Sequence, residues 1–374
     1  MKRVALIRNS YSYDVGGAEI FPINLAKILH KLGYVPYVLS SNMRTLEMAE
    51  TAKLRYIHSP WWSLQNLSGK RVVLFPAYLV WLLVVAAWYV VYFYNNRIDI
   101  VHPQGRDDFV AATLAAKLLR KKVIWTDHAD LKYIYANHRK WYKNPVGKLV
   151  FATSKLAKQV SIESHSEKRL IEESLGKKLP KNYSVIHIGV VDSYTSVTRN
   201  TEEVVIVSTS RLVKDKGIAE LIEAMKLIKR DDVLLKICGD GPDAEIFKSS
   251  AKGMGNISFL GHVRDVVSVL EEADVFVHPT YHEGFGLSLV EAEMCSLPIV
   301  ASNVDSIPEI VEDGVSGVLV EVGNHIELAK GITQLIDNPK LRHKMGKAGR
   351  RIFLEKFQFD QIVRERFVPL YENN

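Results

Sequence analysis

Short runs of consecutive apolar, often β-branched residues recur along the chain, separated by longer stretches with apolar residues at helical spacing. In the first half the runs are Val4–Ile7, Tyr37–Leu39, Ile98–His102, Lys122–Trp125 and Ser184–Ile188. In the second half they are Val204–Ser208, Leu234–Cys238, Val275–Val277, Pro298–Ala301 and Gly317–Val320. Runs that lack polar alternation fit strands covered on both faces, as in a parallel sheet. Helical patterns such as Phe21–His30, Gly217–Ile228 and Leu287–Leu297 lie between them. Strand and helix signals in alternation predict right-handed βαβ units. At 374 residues the chain has room for two such α/β domains. The polar stretch Val191–Thr201 marks the expected seam. Ligands are then expected beyond the carboxyl ends of the strands.

One segment breaks the alternation. Val72–Tyr94 is 23 residues long and carries no charge, long enough to cross a hydrocarbon layer as a helix. It has no polar face, so it must be buried all round or meet lipid. Trp81, Trp88, Tyr89, Tyr92 and Tyr94 favour a headgroup boundary, and Pro76 is expected to interrupt the helix near its start. A full crossing conflicts with the strand Ile98–His102, which must rejoin the sheet of Val4–Ile7 on the same side. A shallow helix or one buried against a partner meets both demands, as does a helix covered by its own domain.

Charge sharpens the picture. Hydrophobic residues make up 47% and charged residues 24%, an ordinary globular balance. The net charge of +7 divides into +15 over residues 1–190 and −8 over the remainder. A basic first half points to an anionic partner such as a phospholipid surface, or simply to solvated lysines. It lacks an RNP-like strand, a zinc finger or a helix-turn-helix, which argues against nucleic acid. Two cysteines, Cys238 and Cys295, cannot build a disulfide framework, and the N-terminus reads as a strand rather than a signal peptide, so a cytoplasmic setting is expected. The N-x-S/T matches at Asn66, Asn182 and Asn256 are then chance occurrences.

Three motifs carry chemistry. Gly16-Gly17-Ala18-Glu19 stands between the first strand and helix, where glycine permits positive φ and amides can approach a phosphate, although a Gly-Gly pair is often only a turn. Arg211 and Lys216, in SRLVKDKG after Val204–Ser208, place two cations in a strand-to-helix loop suited to a diphosphate. His278–Leu287, reading HPTYHEGFGL, runs on to Glu291. Glu283 and Glu291 then reach different parts of one ligand. Glycines leave the following helix N-terminus open to a pyrophosphate.

These elements, in this order, resemble the retaining glycosyltransferases of family 4. The resemblance is strongest over residues 204–321, through SRLVKDKG, KICGDGP, FLGHV, ADVFVHPTYHEGFGLSLVEAEMCSLPIVAS and IPEIVEDGVSGVLV; GGAE, IDIVHPQG, WTDHAD and IGVVD carry it in the first half. It implies a GT-B architecture of two Rossmann-like, doubly wound domains facing a cleft. Their bounds are expected at 1–196 and 197–356, with a helix over 357–374 returning to the first. It implies transfer of a sugar from a nucleotide-diphosphate sugar, UDP favoured and GDP possible, to a glycan or membrane-linked acceptor without a metal or other cofactor. Glu283, His128, Arg211 and Lys216 would be catalytic. Arg211 and Lys216 would bind the diphosphate, Glu291 the ribose hydroxyls, and Glu283 the donor sugar. The backbone of Gly284, Phe285, Gly286, Leu287 and Ser288 would touch sugar and phosphate, and that of Val263 the base. Gly16 and Gly17 would close over the phosphates, and His128 would stand near donor sugar and acceptor. Two departures bear on donor choice: Glu293 and Ser296 stand where the family's EAMACGLP carries Met and Gly, and IGVVD replaces NGVD. Nucleotide-sugar epimerases, phosphorylases and small-molecule glycosyltransferases use the same fold, which alone does not decide between them.

Overall fold

The structure is a computed structural model that describes residues 1–10, 16–61, 69–195 and 203–372. Asn66 and part of the expected seam, residues 196–201, lie outside the described residues. The chain forms two compact units, one of Met1–His187 with Val363–Asn374 and one of Ile188–Ile362.

In the first unit, seven strands form one parallel sheet: β1 (Arg3–Ile7), β2 (Val35–Ser40), β3 (Arg55–His58), β4 (Ile100–Pro103), β5 (Lys122–Thr126), β6 (Gln159–Ile162) and β7 (Tyr183–Val185). Their order is β3-β2-β1-β4-β5-β6-β7, with the switch point between β1 and β4. β3 and β6 lack a continuous apolar run, so the pattern of the sequence misses them. The division falls at His187–Ile188, and the C-terminal return begins at Val363 rather than 357. The cause is local pairing: the Val190 amide donates to Phe357 and the Phe359 amide to Val190. Beyond Val363, Phe367 packs its ring on Phe21, and the Tyr371 hydroxyl meets His102 Nδ1 at 2.6 Å.

Helix Phe75–Asn95 contains the long apolar segment except for its first three residues, which end the preceding 3-10 turn Gly69–Leu74. Pro76 lies in its first turn, where a missing N–H costs nothing, and so does not interrupt it. Tyr78, Leu82, Val85, Tyr89 and Phe93 fall at helical spacing and join the core with Phe109 and Ala112 of the helix Arg106–Leu118. The Tyr89 hydroxyl donates to buried Asp108 at 2.8 Å, a polar tether within that packing. The other face is equally apolar and exposed: Val80, Leu83, Val84 and Val91 are each about 60% accessible. The domain covers one face of this helix and leaves the other open.

The second unit repeats the wiring in a six-stranded parallel sheet: β8 (Val204–Thr209), β9 (Val233–Cys238), β10 (Ile257–Gly261), β11 (Val275–His278), β12 (Ile299–Ser302) and β13 (Gly317–Val320). The order β10-β9-β8-β11-β12-β13 puts the switch between β8 and β11. Cys238 and Cys295 are both buried, and no disulfide joins them. Glu293, the acid where the family carries Met, is fully buried in the helix Leu287–Met294. Burial raises its carboxyl from 4.5 to about 8, and the Ser316 hydroxyl and Lys356 offset this only in part.

The folded chain therefore favours neutral Glu293. The stability this contributes is intact below the unfolded-state pKa and drains away as pH rises towards about 8. Glu293→Gln should unfold at nearly the parent temperature at about pH 5 and at a clearly higher one at about pH 8.5, a gain on the order of a few kcal/mol. Thermal denaturation across that range checks this; a pH-independent difference would show that the group does not titrate there.

Candidate active site

At the switch point of the second sheet two loops leave the carboxyl edge, residues 210–217 after β8 and 279–286 after β11. The Tyr281 amide and the Thr280 hydroxyl both donate to the Asp215 carbonyl, at 2.8 and 3.0 Å. Gly217 adopts φ +67°, and a Cβ there would lie 1.9 Å from the Pro279 carbonyl oxygen. Only glycine allows the loops this close.

That closeness delivers Lys216 Nζ to Glu283 Oε2 at 2.8 Å and to the His282 carbonyl at 3.4 Å. His278 Nε2, at the end of β11, donates to the same carboxylate oxygen at 2.7 Å. The Gly284 amide donates to Oε1 at 3.0 Å, and the Glu283 amide donates to Asp305 Oδ2 at 2.9 Å. Burial pushes the Glu283 carboxyl up, but the His278 hydrogen bond and charge, with the Lys216 ammonium, hold it down at about 2. It is ionised at neutral pH.

Gly286 enters the helix Leu287–Met294 at φ +106° with no side-chain cap. The amides of this first turn, Leu287 and Ser288 among them, have no carbonyl partner within the helix, and the helix field there favours an anion. Phe285 is buried beneath the turn. Glu291 lies one turn further on. Its carboxyl is raised to about 7 by burial, with no neighbouring cation to offset it. Arg211 leaves the first loop exposed, and no side-chain hydrogen bond holds it among the described residues. Val263 follows β10 half-buried, two residues beyond Gly261 at φ +68°.

The structure thus joins Lys216 to Glu283 directly and sets Gly284–Ser288 and Glu291 on the same loop and helix. His278 and Asp305 are the members that sequence reasoning missed. His278 opens the HPTYHEGFGL motif but was given no role, although its place five positions before Glu283 was the available signal. Ammonium, imidazole and amide donors gathered around an open helix N-terminus suit a polyanion.

Gly16, Gly17 and His128 belong to the first unit. Gly16 is extended at φ −108°, so it does not use the positive φ that glycine permits. Its amide donates to Glu19 Oε2 at 3.1 Å, while Arg8 Nη2 bonds the other oxygen at 3.1 Å. Gly17 is the first residue of the helix Gly17–Lys31, whose N-terminus already faces the Glu19 carboxylate. His128 follows β5, with its ring edge-on to Phe21 and Nδ1 2.6 Å from Glu163 Oε1. Burial and the Arg8 charge lower its pKa to about 3.

In the ligand-free protein the two glutamates of E-x7-E should titrate far apart, Glu283 at about 2 and Glu291 at about 7. Side-chain carboxyl NMR of labelled protein measures both; Lys216→Met should move Glu283 upward and leave Glu291 in place.

Comparison with known proteins covers both units. Residues 15–194 match the family described as Glycosyltransferase Family 4, and residues 194–352 match Glycosyl transferases group 1. The capsular polysaccharide biosynthesis glycosyltransferase CapM of Staphylococcus aureus is 34% identical over 43% of this chain and 44% of its own length. The chain thus aligns with less than half of that relative. The phosphatidyl-myo-inositol mannosyltransferase of Mycobacterium leprae is 26% identical over 97% of this chain and 94% of its own. Among solved structures, Anabaena HepE in complex with UDP and glucose superposes with a TM-score of 0.78 at 19% identity, over 100% of both chains. A glycosyltransferase from Rickettsia africae reaches a TM-score of 0.81, also at 19% identity, over 100% of this chain and 99% of its own.

Proposed function

The chain belongs to the family 4 glycosyltransferases and has their GT-B fold, and on that premise we propose that it transfers a sugar from a nucleoside-diphosphate sugar to a glycan or lipid-linked acceptor in polysaccharide or glycolipid synthesis. The observation that carries this reading is the Lys216–Glu283–His278 cluster beside a helix N-terminus capped only by glycine. Breaking the bond from sugar to diphosphate builds negative charge on the leaving phosphate and positive charge on the sugar. Arg211, Lys216 and the amides of Leu287 and Ser288 meet the first, and the ionised Glu283 faces the second. Glu291, desolvated and without a cation, offers a carboxylate to the two ribose hydroxyls. Val263 meets the base, and Gly16, Gly17 and His128 serve phosphate and acceptor from the first unit. UDP is the favoured nucleotide, supported by the UDP bound to HepE. The side-chain cations and amides supply the countercharge that a metal provides elsewhere, which supports a transfer that needs no metal; retention of the sugar's configuration is proposed from the resemblance to the retaining family 4 enzymes alone.

With a panel of nucleotide sugars, transfer releases free nucleotide diphosphate, whereas an epimerase leaves it attached. Lys216→Ala should lower kcat/KM more than tenfold, about 1.5–3 kcal/mol for a lost charge-assisted contact, and EDTA should leave the parent rate unchanged. A chelator-sensitive rate, or epimerised donor with no nucleotide released, would overturn the reading.

The acceptor is proposed to be met at the cytosolic face of a membrane by the first unit. Its support is the exposed apolar face of helix Phe75–Asn95, in a segment of mean hydropathy 2.1, together with the +15 charge of residues 1–190. The mannosyltransferase of M. leprae, by its name, acts on a phospholipid. Vesicles containing acidic lipid should float the protein, and the exposed-face pair Leu83→Glu with Val84→Glu should abolish flotation while leaving the thermal midpoint within a few degrees. Parent protein that stays at the bottom of the gradient would show that the helix does not engage lipid.

A further inference from the structure

In the first unit a carboxylate outside every family motif touches His128. Glu163 directly follows β6, and His128 lies two residues beyond β5, so adjacent strands bring both to the carboxyl edge. Glu163 Oε1 lies 2.6 Å from His128 Nδ1, and the two side chains are 6% and 4% exposed. Glu163 is itself fixed: its amide donates to Glu167 Oε2 at 3.1 Å, and the Ser164 hydroxyl next to it caps the helix His165–Leu175 by accepting from the Glu167 amide at 3.0 Å. Phe21 packs edge-on against the imidazole at 5.0 Å between ring centres. The other ring nitrogen, Nε2, is buried and has no hydrogen-bond partner among the described residues. A buried polar atom left unpaired is costly unless a ligand completes it.

We propose that Glu163 is a positioning residue for His128: by accepting a hydrogen bond from Nδ1–H it holds the neutral tautomer whose bare Nε2 can accept a hydrogen bond from a sugar hydroxyl. This rests on the glycosyl-transfer reading for what the hydroxyl belongs to, but not for the tautomer. Burial and the nearby Arg8 keep the ring uncharged, so one nitrogen carries the proton and the other is bare. The carboxylate decides which, as the partner of a functional imidazole commonly does. Among the described residues no other side chain meets Nδ1, so replacing Glu163 by an apolar group frees the proton to move to Nε2. The histidine would then present a donor where an acceptor is needed.

Selective 15N labelling of histidine in the full chain reads this directly, with His128 assigned by the signal lost in His128→Asn. The parent should show a protonated Nδ1 and a bare Nε2 at neutral pH. Glu163→Leu should move the proton to Nε2 and lower kcat about 10- to 100-fold, with donor KM within about twofold. Glu163→Gln, whose amide oxygen can accept the same proton, should restore both the tautomer and most of the rate; it also serves as the folded control if Glu163→Leu is unstable. A parent protonated on Nε2, or a Glu163→Leu enzyme that keeps the parent tautomer or the parent kcat, would overturn the proposal. If the parent transferred no sugar at all, the functional reading would fall while the nitrogen shifts still decided the role of Glu163.

Discussion

The candidate site of the second unit depends on one largely desolvated carboxylate being kept ionised. Glu283 is largely removed from water, and an isolated charge there would protonate rather than persist. Two donors on the same oxygen prevent that, Lys216 from the loop after β8 and His278 from the end of β11. Their convergence requires the two loops to touch, which requires a residue without Cβ at Gly217 and the shared Asp215 carbonyl between them. The Asp305 carboxylate then orients the Glu283 amide from a third loop. Removing one partner of such a buried pair leaves the other charge uncompensated, so the cluster stands or falls as a unit.

The two sheets share a strand order but hold opposite chemistry at their carboxyl edges. In the second unit cations and amides surround an ionised acid. In the first, desolvation dominates: His128 is held neutral, Asp127 is pushed well above the carboxylate range, and Glu167 is raised to about 7, with hydrogen bonding between the two acids. Burial likewise lifts Asp108 to about 6 despite the hydrogen bonds from Tyr89 and Asn9. Arg8, the nearest cation, is engaged by Glu19 and Asp130. An edge of neutral or internally paired groups attracts a polyanion weakly and suits hydroxyls, which both donate and accept. The basic character of residues 1–190 comes instead from lysines and arginines spread over the sequence, and it says nothing of the site itself.

Strands buried on both faces were legible because continuous apolar runs such as VVIVS and VFVH have no other comfortable home. The strands that escaped are RYIH, QVSI and ISFLG, where polar residues interrupt the run. β3 and β10 are sheet edges, and β6 carries Ser161 and Gln159 between its neighbours. Arg211, Lys216, Glu283 and Glu291 could be picked out because charged residues beside glycines in strand-to-helix loops are chemically conspicuous. The role of His278 could not, since a histidine where a strand ends and a loop begins shows nothing in sequence of where its ring points. Glu163 was hidden for the same reason, because its partner lies 35 residues away in sequence and meets it only through strand pairing. At Gly16 the freedom to take a positive φ goes unused, because the glycine serves there as an extended helix cap. The helix Phe75–Asn95 has no polar stripe, and the sequence alone cannot say which half of an all-apolar helix its own domain will cover.

Glu291 and Glu293 show why a raised carboxyl does not by itself mark a functional group. They are two residues apart on one helix, so they point to opposite sides of it. Burial lifts both, to about 7 and about 8. Glu293 is fully buried, with its Cγ 3.3 Å from where a side chain on Gly349 would begin, packed against the helix Pro339–Ile352. No ligand can reach it there, and its cost is carried by the stability of the unit. Glu291 faces the other way, from the helix whose open N-terminus and glycine cap adjoin Glu283. Donors brought by a ligand can satisfy it, and binding then repays the desolvation that folding incurred. Of two equally perturbed acids, the one whose missing partner could arrive from outside belongs to the site.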